Sequence, residues 1–374
     1  MSRAYLDHAS TSPLRPEALD AMMPWLAGVV ADPGRVHTEG LMARSALEEA
    51  RDQVAGLLGA RPREVVLTSG ATESINAATY GATASRGRRI VAPAVEHSAV
   101  LQASTRSGDL VQVAVDAYGR VDPDELLHTV DAAPTALVHL QWANHEVGTV
   151  QPVAEVVAGC RERGVLVHVD AAQAAGHVPV GFDALGADLM SVSAHKLGGP
   201  KGAGALLVRR GLRLPPLLLG GDQERARRAG MENVPAQVGF GAAAAVLGRS
   251  LEAERAASTA ACERLLDAAV AVPGVTLYGD PQAAARLPHV VCLGVDLVEA
   301  EAVLLGLDQA GVAAHSGSAC SSESLEPSPV LLAMGIEAER SLRLSVGWST
   351  SEKDLEAFAR AFPGVIQRLR SLRG

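Results

Sequence analysis

Short β-rich runs alternate with helix-spaced segments between residues 64 and 209, and this alternation constrains the fold more than any other feature of the chain. The runs "EVVLTS" (64–69), "RIVAP" (89–93), "LVQVAVD" (110–116), "ALVHLQ" (136–141), "VLVHVD" (165–170), "DLMSVS" (188–193) and "GALLVR" (204–209) have strand composition. Between them, "ESINAATYGATA" and "VAEVVAGCRERG" carry helical spacing, the second ending at Gly164, where a helix-terminating glycine is expected. Repeated strand–helix units predict a mainly parallel sheet covered by helices on both faces. Ligand-binding residues then collect beyond the carboxyl ends of the strands.

After Gly230 the pattern changes. The Ala-rich stretch 236–271 predicts one long helix, "HVVCLGV" (289–295) and "SLRLSVGW" (341–348) predict strands, and a further helix falls near 298–310. These elements predict a smaller α+β unit. A chain of 374 residues that is 48% hydrophobic and 20% charged supports a sizeable core and excludes wholesale disorder. Its net charge of -9, with no basic run, argues against nucleic acid as a partner. No apolar run reaches membrane-spanning length and the N-terminus lacks a signal-type apolar core, so a cytoplasmic protein is expected. The four cysteines are far apart with no CxxC spacing, so neither a disulfide framework nor a metal site is expected.

Only three lysines occur, Lys196, Lys201 and Lys353. Lys196 follows an apolar strand in "SVSAHKLGGPKG", where a lysine amine can form a Schiff base with an aldehyde cofactor. Taken singly it reads first as a solvated surface lysine. Asp170 ends the strand "VHVD"; it suits a pyridinium nitrogen, or a plain helix N-cap. "TSGATES" (68–74) joins a strand to a helix through Gly70, so the first amides of that helix at Ala71 and Thr72, with the Thr72 hydroxyl, can bind a phosphate. Ser193 and His195 flank Lys196 and complete such a cradle. His97, after another strand, can lie on a cofactor ring or shuttle protons. Cys320 sits in "AAHSGSACSSESLEPSP" (313–329), among small, polar and breaker residues with no apolar period, an unusual setting for a free cysteine.

Taken together, "YLDHASTSP", "TSGATES", "VEHSAV", "HVDAAQ", "SAHKLGGPKG", "SGSACSSESLEPS" and "LRLSVG" resemble the pyridoxal-phosphate cysteine desulfurases of the NifS/IscS type, within the class V aminotransferases. The resemblance spans nearly the whole chain. It implies the pyridoxal-phosphate transferase fold of the aspartate aminotransferase type (fold type I), with a large α/β domain over 15–255 built on a seven-stranded sheet. A small domain, from 1–14 and 256–374, would carry the cysteine loop at about 314–329. It further implies that Lys196 holds pyridoxal 5'-phosphate as a Schiff base, that L-cysteine displaces it, and that L-alanine forms through a cofactor aldimine and ketimine. Sulfur would pass to Cys320 as a persulfide, then to acceptors such as iron–sulfur scaffold or thiolation proteins. By the same resemblance Asp170 pairs with the ring nitrogen, Gln173 lies near the ring hydroxyl, and His97 stacks on the ring as acid–base. Ala71, Thr72, Ser193 and His195 hold the phosphate, and Arg343 clamps the substrate carboxylate. A homodimer is implied too. Two rivals stand beside this reading: another enzyme of the same cofactor and family (selenocysteine lyase, C–S lyase or aminotransferase), and a degenerate sulfur carrier without catalysis.

The chain departs from the family pattern at three points. His145, in "ANHEVG", replaces a second asparagine expected near the ring hydroxyl or substrate. Met231, in "RRAGMENVP", replaces a threonine that reaches the phosphate from a neighbouring subunit, so a hydrogen bond there is lost. Trp348 stands where a basic residue is usual, and nothing in the sequence explains it.

Overall fold

The structure is a computed structural model describing residues 3–316 and 327–372. Cys320 therefore lies outside the described residues. In chain order the strands are β1 (Ala4–Tyr5), β2 (Val65–Thr68), β3 (Arg89–Pro93), β4 (Asp109–Val113), β5 (Leu137–Gln141) and β6 (Leu166–Asp170). They continue with β7 (Leu189–Ser193), β8 (Gly204–Val208), β9 (Val275–Tyr278), β10 (Val290–Val295), β11 (Val312–Ala313) and β12 (Ser341–Ser345).

β2 to β8 form one seven-stranded sheet in the order β2-β8-β7-β6-β5-β3-β4. β8 runs antiparallel to β2 and β7, and the other neighbours are parallel. Strands β2, β5, β6, β7 and β8 are buried throughout, as expected when helices cover both faces. The consequence for function lies in the register. Gln141 of β5 pairs with Asp170 of β6, which pairs with Ser191 of β7, so the carboxyl ends of these strands are aligned at one edge. Thr68 of β2 and Pro93 of β3 end at the same edge, and the loops after all five strands open there.

A second sheet, β12-β10-β9, is antiparallel, and β1 pairs with β11 in parallel. The helix Val234–Val270 ties the two sheet systems together. Phe240, Ala244 and Leu247 near its start belong to the apolar cluster of the large sheet, while Cys262, Leu265 and Ala269 belong to that of the small sheets. The N-terminal strand crosses the same junction: Ala4 and Leu6 pack with the second cluster and Ala9 with the first.

One strained segment buttresses the edge of the large sheet. Glu224, Arg225 and Ala226 all have positive φ (48°, 58° and 60°), a conformation that costs non-glycine residues about 1–2 kcal/mol each. Glu224 holds it down. Its buried carboxylate accepts from both Nη atoms of Arg51 at 2.6 and 2.8 Å and from the Leu67 amide at 2.8 Å. That anchor lies two residues before Ser69, where the chain turns from β2 into its helix.

Candidate active site

The loops at the shared strand edge enclose a cavity of about 530 Å³. Among its lining residues are Ala71, Thr72, His97, His145, Asp170, Gln173, Ser193, His195, Lys196 and Arg343, so every described residue assigned a role from sequence meets in one cleft.

At one wall, the helix Ala71–Arg86 begins directly after Gly70. Gly70 has φ 151° and ψ 178°, a region essentially reserved for glycine, and a Cβ there would project to 3.6 Å from Ser193 Oγ, into the space the turn leaves open. The opening amides of that helix have no intrahelical acceptor and carry the positive end of its dipole. Ser193, 5% exposed at the end of β7, faces them. His195 follows, with Nδ1 3.2 Å from Thr11 Oγ1. Burial, reinforced by Lys196 and Lys201, pushes the His195 imidazole down to about 4, so at neutral pH it offers a hydrogen bond rather than a charge. Hydroxyls, free amides, a neutral imidazole and the nearby Lys201 make an anion cradle.

Lys196 ends the short 3-10 turn Ala194–Lys196 after β7, and its ammonium donates to the Ala9 carbonyl. Asp170 closes β6. Its Oδ1 accepts from the Ala172 amide at 3.0 Å and from Ser191 Oγ at 3.2 Å, which fixes the carboxylate at the cleft floor. The N-cap reading of Asp170 is thus replaced by a turn contact. His97 does cap a helix, Ser98–Ser107: its Nδ1 accepts from the Ala99 amide at 3.1 Å, so its proton sits on Nε2. His145 meets that ring edge-on at 5.1 Å and 70°. The neighbouring Asn144 is consumed by its own turn, accepting from the amides of Glu146 and Val147 at 2.8 and 2.9 Å.

Arg343 is 2% exposed on β12 and not the surface arginine that pattern alone suggests. Nη1 donates to the His145 carbonyl at 2.9 Å, and Nη2 donates to Asp7 Oδ1 at 3.1 Å and Ser10 Oγ at 2.8 Å. Its Nε is buried without a hydrogen-bond partner, and the residue is part of the cleft wall.

Both flanks of the Cys320 segment are fastened to this site. His315 and Arg343 exchange backbone hydrogen bonds at 3.1 and 2.6 Å. On the far side, Ser328 Oγ donates to Glu146 Oε2 at 2.6 Å, next to His145. The other three cysteines, Cys160, Cys262 and Cys292, are buried, and burial pushes each thiol up to about 12. None of those three can supply a thiolate near neutral pH.

Sequence reasoning missed several residues here. Asp7, Ser10 and the Ala9 carbonyl lie in the N-terminal strap and reach the site only through the fold. Trp348 gains an explanation: the Arg15 guanidinium lies 5.3 Å from its ring centroid, held there by a bidentate pair with Glu254, and the indole N–H donates to Pro13. Glu96, passed over beside His97, is 2% exposed. Its Oε1 accepts from the Gln141 amide at 2.7 Å and Oε2 has no partner. Burial, with Asp170 adding to it, pushes this carboxyl up to about 8.

A raised acid in the folded state means the folded protein binds the extra proton, so stability falls as pH rises from the unfolded value of 4.5 through about 8. Glu96→Gln removes that proton linkage. The stability of the variant relative to wild type, from urea titrations at pH 5 and pH 8, is expected to rise with pH by on the order of 1 kcal/mol per unit. Parallel profiles for the two proteins would show that Glu96 does not titrate in this range.

Comparison with known proteins now decides the family. The family model for class-V aminotransferases matches residues 4–358. The chain belongs to the cysteine desulfurases of the class-V aminotransferase family. Over 382 residues it is 41% identical to the cysteine desulfurase of Trichormus azollae, covering 100% of this chain and 95% of that protein. It is 38% identical to the cysteine desulfurase IscS of Methanosarcina thermophila over 378 residues, with 98% and 93% covered. Among solved structures it resembles a NifS-like protein at 30% identity and a TM-score of 0.91, covering 98% of this chain and 100% of that one. The fold expected from sequence, with its mainly parallel seven-stranded sheet, is the fold observed.

Proposed function

We infer that this protein is an L-cysteine desulfurase that works with pyridoxal 5'-phosphate on Lys196 and takes sulfur onto Cys320. The observation that carries this reading is the convergence of an amine, a carboxylate and an anion cradle around one cavity, with the buried Arg343 in its wall.

The donor set fits the cofactor. Ala71, Thr72, Ser193 and His195 would hold its phosphate, in the space that a Cβ at Gly70 would fill. Asp170 would face the ring nitrogen, His97 the ring, and Gln173 with His145 the ring hydroxyl. When bound, pyridoxal phosphate supplies an aldehyde for imine formation and a ring that accepts electron density from the substrate.

The chain's own residues do the rest. Arg343 binds the carboxylate of L-cysteine and orients its amine toward Lys196. Lys196, released from the Ala9 carbonyl, carries protons to and from the substrate carbon. His97, with its proton on Nε2, is the second group able to move one. Cys320, as thiolate, attacks the substrate sulfur; the substrate's Cβ–S bond breaks and a persulfide S–S bond forms. The three-carbon skeleton gains a proton in place of sulfur and leaves as alanine. The flanks of Cys320 at His315 and Ser328 support this role, because five residues of chain from His315 reach at most about 18 Å. The persulfide then passes to acceptor proteins of the iron–sulfur scaffold or thiolation type, in a cytoplasmic setting. None of the described helices is long and apolar enough to cross a membrane.

A homodimer and the proposed division into a domain over 15–255 and one from 1–14 plus 256–374 belong to the same reading. Met231 is 62% exposed at the position from which the family reaches the neighbouring subunit, which suits a partner surface. Met231→Thr is expected to restore a hydroxyl to the neighbouring phosphate and tighten cofactor binding about tenfold, since a hydrogen bond to a charged group is worth about 1.5–3 kcal/mol. Cofactor titration of the apoenzyme followed by fluorescence measures this. An unchanged Kd would remove Met231 from the phosphate site. The reading as a whole is tested by borohydride reduction of the yellow protein, which should fix a pyridoxyl group on Lys196.

A further inference from the structure

His289 and His177 form a stacked pair behind the cleft, with ring centroids 3.5 Å apart and planes at 13°. Neither ring has a role in the chemistry above. His289 precedes β10 and is fully buried, and its carbonyl accepts from Val346 at 3.0 Å, which pins it at the junction of the two sheet systems. His177 lies in the turn after β6 and is hydrogen-bonded to the Lys196 backbone.

The hydrogen-bond roles at Gln173 follow by elimination. Its Nε2 donates to the Ala9 carbonyl at 2.9 Å, and a carbonyl only accepts, so the amide nitrogen must face Ala9. The amide oxygen therefore faces His289 Nε2, 3.4 Å away. An amide oxygen also only accepts, so His289 carries its proton on Nε2. That leaves His289 Nδ1 as a bare acceptor, buried and without a partner. Leaving a polar atom in that state is costly, and an apolar side chain of the same volume would avoid it. In this chain the imidazole uses only its Nε2–H. The second N–H of Gln173 has no partner among the described residues, and Gln173 lines the cleft.

We propose that His289, stacked on His177, is a positioning residue that locks the Gln173 amide so that its second N–H is presented to the phenolic oxygen of the bound cofactor. This inference rests on the cofactor reading above. Both rings must stay neutral for the stack to survive. Burial does this, holding His177 down to about 3 and His289 well below its usual range, with the Lys196 ammonium disfavouring a further charge on either ring. The lock is therefore constant across the working pH range.

The consequence is spectroscopic. A donor on the phenolic oxygen draws on the negative charge that helps hold the proton of the adjacent Lys196 imine. Removing the donor strengthens that hold, so the pH midpoint of the visible absorption band moves up. Three holoenzyme variants separate positioning from packing. His289→Phe keeps the stack and loses the donor; His289→Gln keeps a donor near the Nε2 position; His289→Asn has a carboxamide too short to reach. The Phe and Asn variants are expected to raise the midpoint by about half to one pH unit, the effect of one net hydrogen bond, while Gln stays near wild type. If His289→Phe fails to fold, the Asn and Gln variants make the same comparison. Yellow Phe or Asn enzyme with the wild-type midpoint overturns the positioning role, as does a Gln variant shifted as far as Asn. Wild-type protein that takes up no chromophore overturns the cofactor reading itself, a separate result.

Discussion

Cys320→Ser enzyme is expected to take up pyridoxal phosphate with the wild-type spectrum and to lose desulfuration by at least ~10³-fold, the scale of removing the nucleophile from a covalent mechanism. The serine hydroxyl is almost the same size but is not ionised near neutral pH and cannot form a persulfide bond. The site itself should not change. Its two fastenings near this residue, the His315–Arg343 backbone pair and the Ser328–Glu146 hydrogen bond, do not involve the Cys320 side chain. No other described cysteine can take over, since Cys160, Cys262 and Cys292 are buried with thiols held at about 12. Alanine release and sulfide release measured together, with mass spectrometry for the +sulfur adduct on the wild-type peptide, check the expectation. Wild-type alanine production by the serine variant would transfer the chemistry to a lyase route that needs no protein thiol.

Arg343→Lys is expected to raise KM for cysteine by about 10–100-fold, the range for losing one charged hydrogen bond of 1.5–3 kcal/mol, while the cofactor spectrum stays unchanged. The guanidinium works as a rigid fork. Two arms are held by the protein, on the His145 carbonyl and on Asp7 with Ser10, which fixes the guanidinium in the cleft wall where the substrate carboxylate would bind. A lysine has a single nitrogen and cannot keep both protein contacts and still meet a carboxylate. Because the position is 2% exposed, the substitution should also lower stability, and thermal denaturation measured beside the kinetics separates the two effects. A stable variant with unchanged KM would show that Arg343 serves the Asp7 strap alone.

The large sheet was legible in the sequence because each of its strands is a short apolar run with its own boundaries. All seven runs read between residues 64 and 209 are strands of one sheet. The helix expected over 236–271 is observed at Val234–Val270. What the sequence hid has a common physical cause. β1 and β11 are two residues each, too short to show a period, and exist only because each pairs with the other across the chain. The side-chain partners of Arg343 lie more than 330 residues away, at Asp7 and Ser10, so local pattern pointed to an edge arginine rather than a buried one. Glu96 is one residue from His97, and only its place directly after the apolar run "VAPAV" hinted that a carboxyl was being buried. His177 and His289 are 112 residues apart, and nothing local marks either as a stacked partner. Motifs revealed the groups that carry the chemistry, whereas the groups that hold them in place emerged from tertiary contacts.

The central claim is that Lys196 carries the cofactor. Borohydride reduction of purified protein, followed by digestion and peptide mass spectrometry, tests it most directly. The account predicts a pyridoxyl mass that fragment ions place on Lys196, and on neither Lys201 nor Lys353. Unmodified Lys196 after reduction of cofactor-supplemented protein, with the adduct elsewhere or absent, would contradict it.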